Sequence, residues 1–171
     1  VNPGSPSVQN TIAAWNNGYN EPGVSFGSSP TRGPYYLEAN LVDTSGNSHV
    51  MIAPYRAITE GKWQHVAVTY DKTTCLGVIF INGAPLTVTN LGLFTPRTTG
   101  SLYLGYRPPG PYPGSGWGYV GGLDEVMIHH RALSSSEITA SYRNGANRCM
   151  EAPLIVQQPT SLRVNAGSDV A

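Results

Sequence analysis

The chain has 171 residues, only 12% of them charged, and its ten acidic side chains balance its ten basic ones. That length encloses one sizeable core, while the missing basic excess argues against a nucleic-acid groove or an anionic membrane surface. No apolar run approaches a membrane span, so membrane insertion is not expected. The only cysteines, Cys75 and Cys149, are too few for a disulfide scaffold or a structural zinc site.

With 20 Gly and 14 Pro, the composition suits short strands joined by many turns. Val1-Asn2-Pro3 reads as the tail of a strand entering a loop. Residues 11–15 form a short strand, Asn16-Asn17-Gly18 a turn, and residues 23–27 pair back. Residues 35–42 alternate as a strand, 43–47 turn, and 49–53 return as a hairpin partner. Residues 63–70 are rich in Val, Thr and aromatics, the residues of a pleated surface. Neither face of that strand is polar, so it is expected in the middle of a sandwich, with Trp63 and Trp15 as core anchors and His65 as a satisfied core histidine. After a polar turn, residues 75–81 form a second apolar strand. Asn82-Gly83 supplies the positive-φ pair of a tight hairpin, and residues 84–88 return. Residues 91–99 read as loop and 102–106 as strand. Residues 107–118 carry four prolines and four glycines and suit neither strand nor helix. Residues 119–130 are the expected closing strand. Ser134 with Glu137 forms a capping box ahead of a short helix over residues 138–142.

Trp63-x-His65-Val66-Ala67-x-Thr69-Tyr70-Asp71, the strand ending in Asn82-Gly83, residues 101–105 and the run from Gly122 to Ile138 together resemble a LamG-like (laminin G, concanavalin A-like lectin/glucanase) jelly-roll domain. The likeness covers roughly residues 1–145. It implies an all-β, antiparallel two-sheet sandwich with one short C-terminal helix. It also implies that the family's opening strands would lie upstream of Val1, and the chain reads as a piece of a longer product, marginal or aggregating on its own. Residues 151–171 resemble the first strand of an immunoglobulin-like module, which places a domain boundary near residue 150. Strings of such modules typify secreted or surface proteins, most often bacterial, in which this domain would be covalently linked to its neighbours.

Fold alone does not give function. Retaining glycosidases need two carboxylates a few ångströms apart. The only acidic neighbours, Asp124 and Glu125, would point to opposite faces of the expected closing strand, so no catalytic residue is assigned. His129 and His130 are sequential on the same expected strand, a poor metal-ligand geometry. Asp124 sits in the family's Asp-Glu-Val motif and is the candidate ligand for one calcium ion, against a hydrogen bond that pins a neighbouring loop. Related pentraxins have an acidic cluster where this chain has Arg107-Pro108-Pro109, which speaks against their calcium site. Cys75 and Cys149 are either a disulfide pair or two separate thiols.

The expected role is recognition, with glycan ahead of extracellular protein as partner. A structural spacer or adhesion module is the competing reading, and a glycosidase domain ranks third. The ligand-binding candidates lie in the proline-rich loop and its flank: Arg107, Tyr112, Trp117 and Tyr119. Exposed rings match the C–H faces of sugars, and a guanidinium donates a fork of hydrogen bonds. The alternative is that Trp117 folds inward and Tyr112 packs on the prolines.

Overall fold

A computed structural model describes residues 1–4, 11–16, 22–29, 33–108 and 117–148. The Ig-like stretch, Tyr112 and Cys149 therefore lie outside the described residues, as does the expected boundary near residue 150. The order is β1 (Asn2–Pro3), β2 (Thr11–Asn16), β3 (Pro22–Ser29), β4 (Gly33–Val42), β5 (Ser48–Ile52), β6 (Val66–Asp71), β7 (Leu76–Ile81), β8 (Ala84–Asn90), β9 (Ser101–Leu104), β10 (Tyr106–Arg107), β11 (Trp117–Gly118), β12 (Gly121–Gly122) and α1 (Ser135–Arg148). A five-stranded antiparallel sheet ordered β5-β4-β3-β2-β9 faces a three-stranded meander, β6-β7-β8, while β1 pairs with β12 and β10 with β11. The described residues form an all-β sandwich with one helix, as the resemblance implied.

Alternation decides which side chains fill the space between the sheets. Along β4, Leu37, Ala39 and Leu41 are buried and join Ile12, Phe26, Met51 and, from the smaller sheet, Ile79 in one cluster. Met51 reaches the opposite sheet at Gly77, where an added β-carbon would meet its sulfur. Gly77 thus lets the two layers approach closely. The Asn82-Gly83 turn has φ of 49° and 78°, as a tight primed hairpin requires. Asn82 also accepts the His65 amide on Oδ1 at 3.0 Å.

Three expectations fail at the centre. The strand expected over residues 63–70 begins only at Val66, and among the described residues it is an edge rather than a middle strand, hydrogen-bonded to β7 on one side. All six of its residues are consequently half-buried. Trp63 is 58% exposed, its indole lying against Gly122 instead of anchoring the core. Trp15 is also only partly buried. His65 is packed obliquely on Tyr142 at 5.8 Å, but its Nδ1 is buried without a partner among the described residues, and burial lowers its pKa.

The closing strand expected over residues 119–130 is reduced to Gly121–Gly122, paired with Asn2–Pro3. Glu125 at a φ of 48° breaks the extended course, and Val126, Met127 and Ile128 remain roughly half exposed. Asp124 and Glu125 therefore do not alternate across a strand, and neither His129 nor His130 lies on one. Between the sheets a cleft of about 750 Å³ opens, lined by Ile12, Phe26, Val66, Val68 and Met127 among others. Its walls are largely hydrocarbon, with Gln64, His65, Asp124, His129 and Arg131 among the polar residues that also line it.

The capping box forms as expected. Glu137 Oε2 accepts the Ser134 amide at 2.8 Å, and Ser134 Oγ accepts the Glu137 amide at 3.3 Å. The helix runs on to Arg148, longer than its periodic stretch suggested. Arg131 adds a forked pair of bonds to Glu137 at 2.6 and 3.0 Å. These bonds, led by Arg131, pull the Glu137 carboxyl from 4.5 to about 2. A depressed folded-state pKa stabilises above the ordinary carboxylate range and is lost as pH falls through the folded value. The melting-temperature advantage of the wild type over Glu137→Gln should therefore shrink between pH 4.5 and 2. A constant difference across that window would refute the pairing.

Candidate functional site

The residues between those of the core point from the five-stranded sheet to its other face. Register aligns them in two rows. One runs Tyr103, Ala14, Ser25, Asn40, Val50, and the next runs Thr11, Gly27, Glu38, Ile52. Small residues in the middle of each row, Ala14, Ser25 and Gly27, leave a trough between larger neighbours. Thr11, Ser25, Ser28, Glu38, Asn40 and Arg107 line a narrow cleft there, about 50 Å³ in volume. That space admits a group no larger than a hydroxyl or hydroxymethyl.

The cleft is polar and partly shielded from solvent. Thr11 and Glu38 are buried, at 5% and 9% exposure, although neither is an apolar residue. Arg107 is half-buried; burial lowers its pKa, and the neighbouring Glu38 carboxylate pushes the other way. Asn40 donates from Nδ2 to Ser48 Oγ at 3.3 Å, while its Oδ1 is buried with no partner among the described residues. A buried acceptor left unmatched costs the hydration it gave up. At the edge of the face, Tyr103 and Tyr106 meet edge-on with ring centroids 6.0 Å apart, and Tyr106 is 44% exposed.

The sequence-derived candidates separate. Arg107 lies in this cleft, and β10 brings it there by pairing with β11, opposite Trp117. Trp117 is placed through its backbone alone. Tyr119 packs partly against the core and its hydroxyl is buried, which raises the phenol to about 12. Asp124 is exposed and its Oδ1 accepts the Glu125 amide at 2.8 Å. Calcium takes six to eight oxygens, and no group of three or more His, Cys, Asp or Glu side chains gathers among the described residues. Cys75 is partly buried at a φ of 62°.

Glu38, Asn40, Ser25 and Tyr103 went unselected in the sequence. The alternation of residues 35–42 separates Glu38 and Asn40 from the core residues, but only the register with β2, β3 and β9 shows what stands beside them.

Two facing antiparallel sheets with the core between them define an antiparallel β-sandwich. The chain belongs to the concanavalin A-like lectin/glucanases superfamily: the Laminin_G_3 family model matches residues 1–139. Among solved structures it is similar to the CBM40 of Ruminococcus gnavus IT-sialidase, at 18% identity and a TM-score of 0.62, covering 81% of this chain and 76% of that one. The same module bound to α2,3-sialyllactose gives 16%, 0.64, 82% and 78% respectively. A Bacteroides ovatus protein provisionally assigned to carbohydrate binding matches at 19% identity and a TM-score of 0.62 over 81% of this chain; the chain spans only 37% of that protein. At such identities the likeness is one of fold. A search of curated proteins gave no match.

Proposed function

We propose that this chain is a non-catalytic carbohydrate-binding module of a secreted or surface protein. The observation that carries the reading is the polar cleft lined by Arg107, Glu38 and Asn40, with Tyr103 on the β9 end of the same sheet face, in ring contact with Tyr106. Arg107 donates to hydroxyls, Glu38 and Asn40 accept from them, and a tyrosine ring offers a surface to the C–H face of a sugar. Trp117 and Tyr112 belong to the same proposal as further contacts from the adjoining loop. Among the described residues, Glu38 is the one carboxylate lining the cleft, whereas glycoside hydrolysis uses a pair. The sugar-bound R. gnavus module lends support from the same fold.

A glycan array probed with the wild type and with Arg107→Ala tests the reading. Binding by the wild type should fall at least about tenfold in the variant, since removing a charged partner from a half-buried site leaves its acceptors unmatched. Circular dichroism checks that the variant is folded. Unchanged binding in a folded variant would take Arg107 out of the site. A folded wild type that binds no glycan would favour the spacer or adhesion module instead.

A further inference from the structure

Resting on the carbohydrate reading, we infer that the trough selects neutral, hydroxyl-presenting sugars and discriminates against carboxylated ones. The basis is the placement of Glu38 and Asn40 in the same narrow cleft as Arg107.

A lone arginine in a binding site is a ready fork for a carboxylate. Here the guanidinium shares its space with a buried carboxylate of the protein. Glu38 projects from the second row of β4 toward the cleft, 9% exposed, and its charge acts directly on Arg107. An acidic sugar entering the cleft would meet that negative charge at short range in a partly shielded setting, where repulsion is less screened. Its own carboxylate would also be stripped of water. Asn40 adds to the bias. Its Nδ2 is held by Ser48 Oγ, and its carbonyl oxygen, buried and without a partner among the described residues, is an acceptor that asks for a donor. A deprotonated carboxylate has no proton to donate, whereas a hydroxyl both donates and accepts. Thr11, Ser25 and Ser28 around the same space are likewise suited to hydroxyl groups.

The test uses matched immobilised probes that differ in one group: terminal glucose against glucuronic acid, and terminal galactose against galacturonic acid, with sialylated glycans on the same array. The wild type should bind the neutral member of at least one pair tenfold or more over its carboxylated partner. In a folded Glu38→Gln variant that ratio should fall several-fold, because the repelling charge is gone while the shape is kept. Equal or stronger binding to the acidic probes would overturn the inference while leaving the carbohydrate reading intact. So would a folded Glu38→Gln protein with unchanged selectivity. No binding to any probe by folded wild type would remove the carbohydrate reading, and the inference with it.

Discussion

Ile79→Ala should cost about 2–5 kcal/mol of folding free energy and lower the melting temperature by roughly 10 °C. Ile79 is fully buried in β7, the central strand of the smaller sheet, where it faces the cluster formed by Leu37, Leu41 and Met51. It pairs with Val68 on one side and Thr87 on the other, so neither neighbour can close over a lost side chain without disturbing the ladder. The cost combines the transfer of the missing methyl groups with the cavity they leave. Ile128→Ala is the control. Ile128 is 50% exposed beside the cleft, and its truncation should move the melting temperature by no more than about 2 °C. Thermal denaturation of the two variants side by side decides the matter. Equal losses would mean that the packed region does not lie between the sheets where Leu37 and Ile79 meet.

The same contrast explains which parts of the fold the sequence disclosed. Local chemistry was legible. Asn82-Gly83 requires positive φ wherever it stands, and the Ser134–Glu137 box needs only its three-residue spacing. Alternation from Leu37 to Leu41 was legible too, because a strand buried on one face carries its own pattern. Trp63 was misjudged because an aromatic residue before a Val-rich strand resembles a core anchor. Whether it is covered depends on what lies beyond the β6 edge, and no local pattern reports that. The closing strand failed for a related reason: Val126 and Ile128 suit a strand, but a strand needs a partner, and among the described residues of that stretch Gly121 and Gly122 are the ones that find it. Arg107 could be chosen from the sequence as a cation in a proline-rich loop. The carboxylate that shapes its chemistry comes from β4, 69 positions earlier, and only the folded register joins them.

Asp43→Ala should lower the melting temperature by about 5–10 °C, a large effect for one side chain at a turn. Asp43 is buried at the end of β4, and its carboxylate holds the β4–β5 connection together. Oδ1 accepts the amides of Ser45 and Asn47 at 2.8 and 2.9 Å, while Oδ2 accepts Asn47 Nδ2 at 3.1 Å and meets His49 Nε2 at 3.2 Å. His49 in turn stacks on Phe94 at 3.6 Å, and Phe94 stacks on Tyr70 of β6 at 4.4 Å. The turn is thus tied through a column of rings to the opposite sheet. Alanine would leave two backbone amides without their acceptor and release the ring column at its base. Asp43→Asn keeps one oxygen for those amides and should recover part of the loss. The wild type should also show an acid limb that Asp43→Ala lacks. Hydrogen bonds led by the Asn47 amide hold the Asp43 carboxyl well below the ordinary carboxylate range. A group depressed in the folded state contributes stability above its unfolded pKa and loses it as pH falls through the folded one. The melting-temperature gap between wild type and Asp43→Ala should therefore be full near neutrality and narrow progressively below about pH 4. A gap that stays constant down to pH 2, or an Asp43→Asn protein no more stable than Asp43→Ala, would show that the carboxylate does not organise the turn.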